Sequence, residues 1–325
     1  MTPVPDKDSP VVSSSSPAAR PLPFGRLAIV GIGLIGSSLA RAALARGLAS
    51  EVALADADPA VVARAAELGI GTSFHIDAAE AAAGADLVIS CVPVGACGLV
   101  AEAIGPVLKP GAIVSDVGSV KAAVVERMLP HLPEKDRFVP AHPVAGTEFS
   151  GPDAGFADLF EGRWSILTPP PGTAEEAIST VVAFWEACGA NVETMTPAHH
   201  DLVLAITSHL PHLIAYNIVG TAADIEEVTQ SEVIKFSAGG FRDFTRIAAS
   251  DPTMWRDIFL NNKLAVLEAL GRFSEDLAAL QRAIRWGDGD ALFNLFTRTR
   301  AIRRSIIDVG QDTPSPDFGR RPPGK

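Results

Sequence analysis

Short apolar runs alternate with alanine-rich stretches of helical spacing along roughly the first 195 positions. Leu27-Ala28-Ile29-Val30, Val52-Ala53-Leu54-Ala55, Asp86-Leu87-Val88-Ile89-Ser90 and Ala112-Ile113-Val114-Ser115-Asp116 read as buried strands, being continuously apolar and too short for helices. Residues 34–44 and 60–68 read as helices between them. Arg137-Phe138-Val139-Pro140-Ala141 reads as a further strand of the same sheet, leading into a loop that carries His142. A strand at Trp164-Ser165-Ile166-Leu167, a helix over 174–188 and a strand at Asn191-Val192-Glu193-Thr194 complete this part. Strands alternating with helices of this length predict an α/β, doubly wound, mostly parallel sheet with helices on both faces.

The pattern changes after Pro197. From His199 to Val309 the apolar positions recur at a period of ~3.6, with little strand signal. Thr196 is placed to cap the first of these helices and Pro197 to sit in its first turn. That helix is expected to run past Pro211 and to kink there. The predicted organisation is a disordered lead-in over 1–24, an α/β domain over 25–195, an all-helical domain over 196–310 and a disordered tail over 311–325.

Composition narrows the classes. A net charge of -11, with no block of Lys or Arg, argues against a nucleic-acid surface, which would need to neutralise phosphates. No apolar run is seen to approach the ~18–20 residues that span a bilayer, so no membrane partner is expected. The lead-in lacks the apolar core of a signal peptide. Cys91, Cys97 and Cys188 form neither an even set nor a metal-like spacing, which suits a reducing, cytoplasmic setting.

Gly31-Ile32-Gly33-Leu34-Ile35-Gly36 follows a strand and opens a helix. The first glycine permits the tight turn, the second lets the backbone approach a pyrophosphate, and the third allows close packing of helix on strand. The helix N-terminus at Leu34 and Ile35 would supply N–H groups to phosphate. Asp56 follows at the spacing of a ribose-binding acid, so residues 25–195 read as a dinucleotide-binding domain that favours NAD. Arg64, one helical turn further on, keeps NADP open. Asp58 is better placed than Asp56 to cap the helix that begins at Pro59.

Four groups could carry chemistry on this scaffold. Ser119 follows a strand carboxyl end, where open parallel sheets hold their ligands, and its first reading is a helix N-cap. His142, followed by the polar turn Gly146-Thr147-Glu148, is a candidate acid–base. His209 and His212 share a helix face, but no carboxylate completes a metal site, so no metal is expected and His209 reads as a polar substrate contact or a core histidine. Arg242 and Arg246, after the glycine pair Gly239-Gly240 and before Trp255, could clamp a carboxylate.

Taken together, 31–36, 115–121, 142–148, 208–212, 239–246 and 251–257 make the chain resemble the prephenate/arogenate (cyclohexadienyl) dehydrogenase family of tyrosine biosynthesis. Ser37 departs from that pattern, where glycine is frequent, and is expected to be harmless. The resemblance implies a Rossmann-type domain followed by an all-α dimerisation domain, hence a homodimer, and NAD(P)-dependent oxidative decarboxylation. It implies that His142 accepts the proton of the substrate's 4-hydroxyl and must be neutral to do so. It also implies that Ser119 bonds that hydroxyl or fixes His142, that His209 and Thr147 contact substrate, that Arg246 rather than Arg242 clamps the side-chain carboxylate, and that Trp255 shapes the pocket. For the ammonium of arogenate, Asp201, Asp224, Glu226 and Glu227 are available. Two alternatives stay open: a two-domain dehydrogenase of the β-hydroxyacid type, using Lys235 or Lys263, and a non-catalytic NAD-sensing regulator.

Overall fold

A computed structural model describes residues 22–147, 149–229 and 239–308. The expectations for 1–21, Glu148 and 311–325 lie outside the described residues. The chain divides into two compact units, with the break between Val266 and Leu267.

The first unit is built on five parallel strands: β1 (Phe24–Val30), β2 (Ala49–Ala55), β3 (Ser73–His75), β4 (Leu87–Ser90) and β5 (Ile113–Asp116). Their order is β3-β2-β1-β4-β5, so the chain reverses direction across the sheet between β1 and β4. Ligands of such sheets bind at the strand carboxyl ends beside this switch point. The helices between them are α1 (Leu34–Arg46), α2 (Pro59–Glu67), α3 (Ala78–Ala82), α4 (Cys97–Ile104) and α5 (Lys121–Met128).

Strand periodicity sorts the core. Leu27, Ile29, Val52, Leu54, Leu87, Ile89 and Ile113 face one layer, which holds α1 and the aromatic residues Phe184 and Trp185. Their neighbours Ala28, Val30, Ala53, Ala55, Val88 and Val114 face the other, with α3, α4 and α5. Each fully buried Leu or Ile contributes roughly 1.5–3 kcal/mol, so a one-residue register slip would be strongly opposed.

Several expectations need correction. Phe24 is buried at the start of β1 and does not belong to a disordered lead-in. The three-residue β3 and five-residue α3 were not anticipated. The segment 137–141 does not form a strand of the parallel sheet; Phe138 alone makes a bridge, to Val114 of β5. The strand there is β6 (Ala141–Pro143), and it contains His142. It belongs to a separate three-stranded sheet, antiparallel to β7 (Trp164–Leu167), which pairs in parallel with β8 (Asn191–Thr194). Pro140 explains the break, because proline cannot donate to a ladder. Between β7 and β8 lies α6 (Glu175–Ala187).

The helical part of the first unit begins with α7 (Pro197–Leu204), capped by Thr196, whose hydroxyl accepts from His199 N–H at 3.3 Å. A π turn over Ala205–His209 joins it to α8 (Leu210–Thr229). The wider turn lies where Pro211 would otherwise clash with the preceding turn, so the helix widens ahead of the proline and continues. Contrary to expectation, Pro197–Asp224 is long and apolar enough to span a bilayer by length and composition. Its Leu204, Ala205, His209 and Ala215 are nevertheless buried in the first unit, as in a core helix. Next come α9 (Gly239–Thr245), a 3-10 turn over Arg246–Ala249, α10 (Pro252–Asn261) and α11 (Lys263–Trp286). The second unit comprises the rest of α11 and α12 (Gly289–Asp308). Its Ile284, Trp286, Phe293, Phe296 and Ile302 are more than half exposed.

Candidate active site

The carboxyl ends of the five strands form the first part of the site. Gly31 turns the chain with φ 99° and donates its N–H to Ala55 O at 2.7 Å. A Cβ at Gly31 would lie 2.6 Å from Cys91 O, and one at Gly36 would lie 1.9 Å from Gly31 O. Gly33 caps α1 in extended conformation without a side-chain hydrogen bond, and nothing lies within 4 Å of where its Cβ would be. The first turn of α1, with Leu34 and Ile35 half-buried, is thus left open to an anion. Ser37, at the position where the family frequently has glycine, is buried, and its hydroxyl turns back to Gly33 O at 2.6 Å.

Asp56 accepts Ile32 N–H at 2.8 Å on one oxygen and Asp58 N–H at 3.0 Å on the other. Each oxygen keeps a lone pair for a ribose hydroxyl. Asp58 caps α2 through Ala60 N–H at 2.8 Å. Arg64 is held by Asp153 at 2.6 Å and Glu67 at 2.8 Å, and so is committed to carboxylates rather than to a 2′-phosphate. An open glycine cradle, an uncapped helix start and an oriented acid fit a dinucleotide such as NAD.

The second part of the site is a buried polar cluster at the end of β5. Lys121 and Asp116 are both fully buried and form an ion pair at 2.5 Å. Lys121 Nζ also donates to Ala141 O at 2.6 Å, while Asp116 accepts Ala141 N–H at 3.2 Å. The pair therefore grips both backbone groups of the residue before His142. His142 is 8% exposed, and its Nδ1 lies 2.8 Å from His200 Nε2. His200 Nδ1 lies in turn 2.8 Å from Asp201 Oδ1. Burial, and then the charges of His200, Lys121 and His209, hold the His142 imidazole well below its ordinary pKa of 6.5. Burial lowers His200 too, against its hydrogen bond with Asp201. Burial pushes the Asp116 carboxyl up, and Lys121 pulls it back.

The structure treats the remaining candidates unequally. Ser119 lies half-buried in the loop before α5, but it does not cap that helix. The cap comes from Asp201, which accepts Lys121 N–H at 2.7 Å and Ala122 N–H at 2.9 Å. His209 is buried; its Nδ1 is 3.0 Å from Asn262 Nδ2, and its Nε2 faces the Ser119 backbone without a hydrogen bond of normal geometry. Burial pushes it down to about 4. Trp255 is buried and stacked on His212, with ring centroids 3.7 Å apart, and meets His209 in a T-shaped arrangement with centroids 6.1 Å apart. Arg246 is half-buried, and its charge adds to burial in lowering His212. Arg242 is exposed and paired with its neighbour Asp243. Thr147 lies on an exposed loop, its hydroxyl accepting Phe149 N–H at 3.3 Å.

Asp201 is no acid for a substrate ammonium, because both its oxygens are bonded inside the protein. Asp224 is exposed, and the side chains of Glu226 and Glu227 lie outside the described residues. Lys263 is exposed at the start of α11, and Lys235 lies outside the described residues. Sequence reasoning missed the roles of Lys121, His200 and Asn262. A lysine in the first turn of a helix opposes the helix dipole, and that misfit was the available signal for a specific partner at Lys121. His200 had none beyond its Asp201 neighbour.

Comparison with known proteins agrees with this layout. Residues 39–194 match the nucleotide-binding domain of prephenate dehydrogenase, and residues 196–298 match its dimerization domain. A cyclohexadienyl dehydrogenase from Zymomonas mobilis is 44% identical over 283 residues, covering 87% of this chain and 96% of the relative. The prephenate dehydrogenase of Aquifex aeolicus, solved in complex with hydroxyphenyl propionate and NAD+, superposes with a TM-score of 0.82 at 34% identity, covering 88% of this chain and all of that one. The Synechocystis arogenate dehydrogenase gives 0.72 at 28% identity, covering 86% and 99%. The glycine cradle, the buried histidine of β6 and the helices that follow thus occur here in a chain that belongs to the prephenate dehydrogenase family.

Proposed function

We propose that this chain catalyses the NAD-dependent oxidative decarboxylation of prephenate, arogenate or both, giving 4-hydroxyphenylpyruvate or tyrosine. The observation that carries this reading is a buried, neutral imidazole, His142, held beside the end of β5. That strand end is two strand spacings, about 10 Å, from the glycine cradle, within reach of a bound dinucleotide. NAD, when bound, supplies the hydride acceptor.

The protein's own task is to orient the substrate and move one proton. His142 takes the proton of the 4-hydroxyl as C4 becomes a carbonyl carbon. When the ring carboxylate leaves as CO2, the electron pair reaches that oxygen and the proton returns to it. Aromatisation drives the step, so positioning matters more than strong acid–base power. Ser119 is assigned to the same hydroxyl, and His209 to the ring end against the aromatic wall of Trp255. Arg246 is assigned to the side-chain carboxylate, which its half-buried charge supports. Thr147 reaches substrate only if its exposed loop folds inward.

The helical part beyond residue 195 is assigned to substrate binding and to pairing of two copies. The exposed Trp286, Phe293 and Phe296 favour a homodimer, which sedimentation velocity tests directly. Three unpaired cysteines suit the reducing cytoplasm. Initial rates of NADH formation from prephenate and from arogenate, repeated with NADP, test the activity. Turnover of either substrate with NAD is expected. No turnover from folded protein that binds NAD would overturn the reading, and a normal kcat in His142→Asn would remove His142 from it.

A further inference from the structure

We infer that His200 and Asp201 are positioning residues that fix the tautomer of His142, leaving its Nε2 lone pair as the only site able to take the substrate proton. This rests on the proposal that His142 is the base, and it follows from counting protons along the chain of bonds. Both oxygens of Asp201 already accept N–H groups at the start of α5, as an acceptor-only carboxylate does. The contact of 2.8 Å between Asp201 Oδ1 and His200 Nδ1 therefore requires the hydrogen to be on Nδ1. A neutral imidazole carries one N–H, so His200 Nε2 is a bare acceptor. The 2.8 Å contact with His142 then requires the hydrogen on His142 Nδ1, and the remaining nitrogen, Nε2, is bare.

The surroundings enforce this arrangement. His200 is fully buried and Asp201 is 6% exposed, so water does not compete for the bonds. Asn262 Nδ2 donates to the Asp201 carbonyl at 2.8 Å and fixes the residue's backbone. The charged and titratable groups facing the two rings are Lys121 and Asp116 below, Asp201 on α7 and His209 on the π turn. When His142 takes the proton, the imidazolium donates to His200, whose far side already leans on the Asp201 carboxylate. A proton accepted in a buried site is thus stabilised through two linked bonds, without an anion touching the substrate pocket.

The proposal separates a merely structural role from a proton-directing one. Glutamine at position 200 can donate its amide N–H to Asp201 and accept His142 Nδ1–H with its oxygen, whereas leucine can do neither. His200→Leu is expected to lose about a hundredfold in kcat, with little change in the affinity for NAD, and His200→Gln to recover most of the loss. Near-ultraviolet circular dichroism and NAD binding show whether each variant is folded. The wild-type protein provides a readout that does not depend on any variant's folding: nitrogen–proton correlation NMR of the imidazoles, with His142 assigned by the signal lost in His142→Asn. A proton on His142 Nδ1 and a bare Nε2 are expected. A proton on Nε2, or a folded His200→Leu with wild-type kcat, or a folded His200→Gln as impaired as the leucine variant, would each overturn the proposal. If His142→Asn is inactive while His200→Leu is fully active, the base assignment stands and only the relay fails.

Discussion

Replacing Lys121 by methionine tests whether the buried ion pair organises the site. The ammonium has no exposure to solvent, and it makes two charge-assisted bonds, to Asp116 at 2.5 Å and to Ala141 O at 2.6 Å. Methionine fills most of the volume but leaves the Asp116 carboxylate with only the N–H groups of Gly118 and Ala141. Breaking a buried pair from one side costs about 3–5 kcal/mol, a large share of the ~5–15 kcal/mol that holds a typical domain together. Removing both charges, in Asp116→Asn with Lys121→Met, should recover about 2 kcal/mol or more of that loss, because no uncompensated charge remains.

The pH dependence gives the sharper reading. Burial already raises the Asp116 carboxyl above its ordinary value of 3.8, and the Lys121 charge restrains the rise. Without Lys121, the folded state binds a proton over a pH window in which the unfolded chain has released it. Stability then falls as pH rises from 3.8 through the new folded pKa. The penalty of Lys121→Met should therefore be smallest near pH ~4, where Asp116 carries its proton, and grow toward neutrality, where the carboxylate would be buried without its partner. Urea unfolding of the wild type, the single variant and the double variant at acid and neutral pH measures it. A cost under about 1 kcal/mol at neutral pH, or a cost independent of pH, would refute the reasoning.

Three further outcomes are expected. Burial and the neighbouring His200, Lys121 and His209 lower His142, so the acid limb of kcat/KM should lie well below 6.5; a limb at or above 6.5 would count against His142 as the base. His209, pushed down from 6.5 to about 4, gives stability that is complete above 6.5 and is lost as pH falls through about 4. His209→Asn should reduce the acid sensitivity of unfolding by up to about 3 kcal/mol across that window, as read from urea midpoints against pH. Gly36→Ala would place a Cβ 1.9 Å from Gly31 O, so NADH fluorescence titration should show at least a tenfold loss of affinity.

The parallel core was legible because it is local in sequence. Each strand carries its own apolar run, and each crossover lies between consecutive runs, so periodicity and handedness suffice. The second sheet was not legible in this way. β6 has three residues, one of them proline, and pairs with a strand more than twenty positions away. Nothing in 137–143 distinguishes an end of the parallel sheet from the start of another. β3 failed for the same reason, since three half-buried residues carry no measurable period.

The site divides along the same line, and Ser119 shows why. A hydroxyl just ahead of a helix is the local signature of an N-cap, and a search along the chain finds it. Here the first turn of α5 is capped instead by Asp201, eighty positions further on in α7. The substitution has two effects at once. It leaves the Ser119 hydroxyl uncommitted in the loop beside His209, and it spends on folding a carboxylate that otherwise reads as a substrate acid. The same Asp201 carries the bond to His200 and, through it, to His142 on β6. One side chain therefore joins the nucleotide-binding strands to the helices that follow. Docking of α7 on α5 and the tautomer inferred for His142 thus depend on the same carboxylate.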